Sequence, residues 1–167
     1  MLAVMREWKV AGGLLADERG LLLVANTRRN GSIDWTTPGG VVDDGESPIE
    51  ALGREVTEET GLLVPNWDRL CWTVSVEFIE MDMTLDVEVH LAQSFTGDLV
   101  IDDPDGIVTA AEFVDRQGVV ERLVDSSRWV AEPLHDWMTA AWSEVRHYDY
   151  AAHGSRPSEL RAERRNP

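Results

Sequence analysis

Three glutamates, Glu55, Glu58 and Glu59, stand at positions i, i+3 and i+4 inside the segment Gly40–Leu62, GVVDDGESPIEALGREVTEETGL. An α-helix turns about 100° per residue, so these carboxylates share one face within roughly two turns. Like charges at that spacing repel by about 0.2–0.5 kcal/mol per pair. A divalent cation would offset the repulsion, because hard ions such as Mg2+ take oxygen ligands and share their coordination with substrate phosphates. A solvated acidic face would tolerate the same charges, and the spacing alone fits both readings.

The segment also supplies the helix that must position these groups. Ser47 suits the N-cap, Pro48 the first helical position, and Glu50 completes a capping box. Gly61 suits the left-handed residue that ends a helix. Ile49, Leu52 and Val56 form an apolar stripe able to dock on a core. Gly39, Gly40 and Gly45 precede it, a glycine-rich loop that lets backbone approach a ligand.

Position for position, the segment resembles the Nudix box. Gly40 is followed after five residues by Glu46 and after seven more by Arg54-Glu55-Val56, then Glu58-Glu59 and Gly61-Leu62, with no departure. The resemblance implies an α/β fold, an α/β/α sandwich around a central mixed β-sheet. It implies metal-dependent hydrolysis of a nucleoside diphosphate linked to another moiety, such as a nucleoside triphosphate, a nucleotide sugar or ADP-ribose. Glu46, Glu55, Glu58, Glu59 and the Gly40 carbonyl would hold Mg2+ or Mn2+. Glu58 would serve as the general base, with Asp105 as alternate, and Arg54 would orient a glutamate of the box. Arg28 and Arg29 stand where a basic residue reaches substrate phosphates, and Trp35 could stack on a nucleobase or pack in the core. A non-catalytic ligand sensor on the same fold is the alternative.

Two positions depart from the family's habits. Thr37 replaces a frequent aliphatic residue before Pro38-Gly39-Gly40, and Ile107 follows Asp105-Gly106 where many relatives carry glutamate. Asp105 is therefore the first loop carboxylate to consider and Glu112 the second. Glu88 is a further candidate ligand, with solvent exposure as its other reading.

Composition sets the outer limits. A chain of 167 residues with 43% apolar content fits one domain, here taken as residues 1–150, with a polar tail over 151–167. That tail is expected to be disordered or to pack against a partner subunit in a homodimer. The formal charge of −16 argues against nucleic-acid and anionic-membrane partners, leaving a small nucleotide-type substrate. Cys71 is the only cysteine, and the N-terminus lacks the pattern of a signal peptide; both agree with a cytoplasmic setting.

Periodicity predicts strands over Trp8–Ala16 and Leu21–Asn26, then an antiparallel pair, Leu70–Ile79 and Met83–Phe95, turning at Glu80–Asp82. A short strand over Ala110–Asp115 and a short helix over Arg116–Val124 follow. A last helix is expected from near Pro133, carrying Leu134, Trp137, Met138, Ala141, Trp142 and Val145 toward the core.

Overall fold

The structure, a computed structural model, describes residues 5–140 and 142–167. In chain order the elements are β1 (Arg6–Leu14), β2 (Ala16–Asp17), β3 (Gly20–Thr27), β4 (Ile33–Thr36), β5 (Gly39–Val41), α1 (Pro48–Thr60) and β6 (Leu63–Phe78). There follow β7 (Met83–Thr96), β8 (Val108–Val114), α2 (Arg116–Arg122), α3 (Arg128–Thr139), β9 (Arg146–His153) and β10 (Arg161–Arg164). The central sheet runs β10-β9-β6-β7-β1-β5, and β2, β3, β4 and β8 form a second, four-stranded sheet. In the central sheet β1–β7 and β6–β9 are parallel and the other pairs antiparallel, so it is mixed, as expected.

After β1 the chain leaves the central sheet and enters the second one at β2. Leu14 and Leu15 are consecutive and both fully buried, as alternation gives where both faces are covered. Leu14 joins the core beneath α3, whereas Leu15 joins the core beneath α1 with Ala11, Leu22, Leu52, Val56 and Leu62. Val10 lies beside Val87 and Ala11 beside Glu88 across the β1–β7 ladder. Alternation thus sends Ala11 and Glu88 to the α1 face, and Val10, Gly12, Val87 and Val89 to the α3 face. The two helices cover opposite faces of one sheet.

The long antiparallel pair forms as the alternation predicts, with Trp72, Val74, Val76 and Phe78 buried along β6. Cys71 is buried too, against the pattern. Leu70 pairs with His90 and Trp72 with Val89, so Cys71 is the extra residue of a β-bulge.

The last helix differs from expectation. It begins at Arg128 and ends at Thr139, with Pro133 in its interior. Trp142 is buried outside it, donating its indole N–H to the Cys71 carbonyl at 3.1 Å, and Val145 is exposed. Ala141 lies outside the described residues. The helix stops because the chain must extend at once, Arg146 already pairing with Trp72 in β9.

Within the stretch expected as a polar tail, the chain forms the end of β9 and all of β10. Tyr148, Tyr150, Ala151 and Ala152 are buried in β9, and β10 pairs with β9 from Arg161↔His153 to Arg164↔Tyr150. Among the described residues no helix is long and apolar enough to cross a membrane.

Candidate active site

The acidic helix is fixed at both ends by the caps its sequence specifies. The Ser47 hydroxyl accepts from the Glu50 amide at 3.2 Å, and the Glu50 carboxylate accepts from the Ser47 amide at 2.8 Å. Gly61 closes the helix at φ 76°, its amide donating to the Thr57 carbonyl. Leu52 and Val56 are fully buried, each contributing about 1.5–3 kcal/mol. Ile49, the third residue of the expected stripe, stays exposed.

That docking presses the glutamates against β5. Glu59 is only 8% exposed, and its carboxylate accepts from the Gly39 amide at 2.9 Å. Glu55 lies so close to Gly40 that a β-carbon there would sit 2.5 Å from its carboxyl carbon. Gly39 is held at φ 145°, where a β-carbon would approach the Ala11 carbonyl oxygen to 2.1 Å. Gly39→Ala is expected to lower stability by about 2–3 kcal/mol in thermal unfolding. An unchanged midpoint would show that β5 can move away from β1.

Arg54 organises the other side. Its Nε and Nη2 donate to the two Glu46 oxygens at 2.8 and 3.0 Å, a bidentate pair. Nη1 donates to Glu55 at 2.7 Å and lies 3.4 Å from Glu58. The Arg54 guanidinium holds the Glu46 carboxyl down at about 2, helped by the Asp43 amide. Burial raises the Glu55 carboxyl against the pull of Arg54, and the charges of Glu58 and Asp105 add to the rise. Burial pushes Glu59 up to about 8, opposed by the Gly39 amide and reinforced by Glu55, Asp103 and Glu58.

One guanidinium therefore faces Asp43, Glu46, Glu55 and Glu58, while the more deeply buried Glu59 has only the Gly39 amide as its donor. This donor set fits a hard divalent cation by oxygen type and by its excess of negative charge. A finished coordination shell is not preassembled. Among the described residues no three acidic, histidine or cysteine side chains converge as ligands, because Arg54 reaches into the group.

The acidic loop after β7 lies against this helix. The Val100 amide donates to the Thr60 carbonyl at 2.9 Å, and Asp103 accepts from the Ile107 and Val108 amides. Asp105 is exposed, near enough for its charge to be felt at Glu55. Glu112 is on β8 and ion-paired with Arg122 of α2. Glu88 is on the α1 face of the sheet, 2.9 Å from the His90 ring, which is buried.

The residues expected to hold substrate are not gathered there. Arg28, in the β3–β4 turn, is bound to Asp34 of β4. Arg29 is exposed in the same turn, and neither arginine bonds to β5 or α1. Trp35 faces Arg122, whose guanidinium lies 5.1 Å from its ring centre, and packs against the core. Alternation along β4 instead turns Thr36 toward a cleft of about 170 Å3 that opens at Gly39 on the α3 face. Trp72, Val74, Val87 and Val89 form its floor, and Trp129, Val130 and Leu134 of α3 its wall. The sequence pattern gives Trp129 no role, because it starts the last helix near Pro133 and the helix begins at Arg128.

A buried acidic helix backed by two glycines, on a mixed sheet whose other face carries an apolar cleft, defines an α/β protein with a carboxylate-rich candidate site. The NUDIX domain family profile matches residues 6–138. The mutator MutT protein from Bacillus halodurans is similar in fold, at 22% identity and a TM-score of 0.66 over 96% of this chain and 99% of that one. The E. coli ORF135 protein, 17% identical, superposes with a TM-score of 0.68 over 86% and 99%. Local sequence similarity reaches an RNA pyrophosphohydrolase of Psychrobacter sp. strain PRwf-1, 43% identical over 51 residues, 30% of this chain and 28% of that protein. The nucleoside diphosphate-linked moiety X motif 6 of Xenopus laevis is 42% identical over 53 residues, 32% and 24% of the two chains. The chain thus spans about a quarter of the length of these curated relatives. It belongs to the NUDIX family.

Proposed function

We propose that the protein is a divalent-metal-dependent pyrophosphohydrolase acting on a nucleoside diphosphate linked to another moiety. The observation that carries this reading is Glu59, a carboxylate buried beside Glu55 against the amide of Gly39, a residue that also lines the apolar cleft. Glu55, Glu58, Glu59 and the Gly40 carbonyl would hold Mg2+ or Mn2+, with Glu46 acting through Arg54. Bound there, the cation would supply neutralisation of the diphosphate and Lewis-acid activation of the attacking water.

The protein's own groups divide the remaining work. Glu58 is the most exposed carboxylate of the trio, its side chain 38% accessible, so a water can reach it. It accepts the water proton as oxygen attacks phosphorus and the bridging P–O bond breaks. Asp105 is the alternate base. Arg54 fixes Glu55 while tied to Glu46, and the cleft receives the nucleoside or the group linked to it.

Arg54 spanning Glu46, Glu55 and Glu58 also suits a second reading, a sensor that binds such a ligand without turning it over. A panel of nucleoside triphosphates, nucleotide sugars and ADP-ribose, assayed with Mg2+ and with Glu58→Gln alongside, separates the two. Metal-dependent release of a nucleoside monophosphate, reduced at least about a hundredfold in the variant, is expected. Binding without release from any member would leave the sensor.

A further inference from the structure

The wall of the cleft depends on a helix with little support of its own. The Ser127 side chain makes no capping bond to α3. Pro133 has no N–H to give the Trp129 carbonyl, so the turn bearing Trp129 and Val130 lacks a rung to the rest of the helix. Polar support comes from its own Arg128 and from two strands outside it, alongside the packing of Trp129 on Phe78. Glu132 accepts from Arg164 Nη1 at 2.9 Å, from the Tyr150 hydroxyl at 3.0 Å and from Arg128 Nε at 2.8 Å. One turn further on, Asp136 accepts from the Tyr148 hydroxyl at 2.9 Å.

Three of these four donors sit on β9 and β10, beyond residue 138, where the family match ends. The Arg164 and Glu132 side chains are only 21% and 23% exposed, so solvent screens the pair weakly. Arg164 is held in turn over the Tyr148 ring, 4.6 Å from its centre. Burial would raise the Glu132 carboxyl, yet the bonds from Arg164, Arg128 and Tyr150 outweigh it and hold the group below its usual range. We propose that β9 and β10 form a latch fixing α3 as the wall of the cleft, which makes Glu132 and Arg164 positioning residues for the group the substrate places there. This inference rests on the hydrolase reading above.

The test uses Arg164→Met and Arg164→Lys in the full chain, with steady-state kinetics on the best substrate of the panel and hydrogen exchange of the α3 amides. For Arg164→Met, KM is expected to rise about tenfold with kcat within about twofold, because the lost charge-assisted bond acts on the cleft and not on the carboxylate helix. The α3 amides exchange about tenfold faster while those of β6 and β7 do not change. Arg164→Lys, keeping one charged donor, recovers part of both effects. Should Arg164→Met fail to fold, Tyr150→Phe removes only a hydroxyl and carries the same two readouts. Exchange that rises evenly through the sheet, or α3 exchange that does not move, overturns the latch. Absence of turnover by the unaltered protein overturns the hydrolase reading instead, so the two failures are told apart.

Discussion

Glu59→Gln is expected to abolish measurable hydrolysis, a loss of at least about a hundredfold, and to make the metal-free protein harder to unfold at alkaline pH. The carboxyl is raised from an ordinary value of 4.5 to about 8, chiefly by burial. Between those values the folded state keeps a proton that the unfolded chain has released. Stability of the metal-free protein therefore falls as pH rises through this window and levels off above about 8. Glutamine still accepts from the Gly39 amide and has no charge to bury. The variant should exceed the parent by about 2–4 kcal/mol at about pH 9 and match it near pH 5, by denaturant titration in a chelator. Equal destabilisation at both pH values would show that Glu59 holds the fold and is not poised for a cation.

Arg54→Met should produce the opposite stability effect with a comparable loss of activity. Glu46 owes its depressed pKa first to Arg54, so its contribution is present above about 4.5 and disappears as pH falls toward about 2. Without the guanidinium, that contribution is missing at neutral pH, and Glu46, Glu55 and Glu58 repel one another with no cation among them. The variant should unfold more easily than the parent at neutral pH, and Mg2+ should restore more stability to it than to the parent. Arg54→Lys should not rescue turnover, because an ammonium cannot span both Glu46 oxygens and Glu55 in one plane. Full rescue by lysine would reduce Arg54 to a point charge.

The acidic helix was legible residue by residue because everything that defines it is local. Ser47, Pro48, Glu50 and Gly61 specify its ends, and Leu52 and Val56 specify the face it buries. The cleft was not legible, since its walls come from strands and a helix far apart in the chain. Trp35 was the natural aromatic to place near a ligand, yet one step along β4 decides the matter, and Thr36 faces the cleft. Trp129 was missed because a proline reads as a helix start, whereas Pro133 lies within α3. In the tail, Tyr148, Tyr150 and Ala152 carried the alternation of a half-buried strand, a signal outweighed by the polar residues around it. β10 offered no such signal. Its four residues are ordered by pairing with β9 and by the Arg164 bond to Glu132.

The parallel pairing of β6 with β9 also bears on how the molecule is made. A ribosome delivers β6 about seventy residues before the strand that lies along its outer side, which at typical translation speeds is roughly 4–15 s. During that interval β7 can zip onto one side of β6, while the amides and carbonyls from Trp72 to Phe78 face water on the other. β9 thus covers that long border of β6 and leaves the four-residue β10 as the edge, so premature termination near residue 138 would release a product prone to self-association.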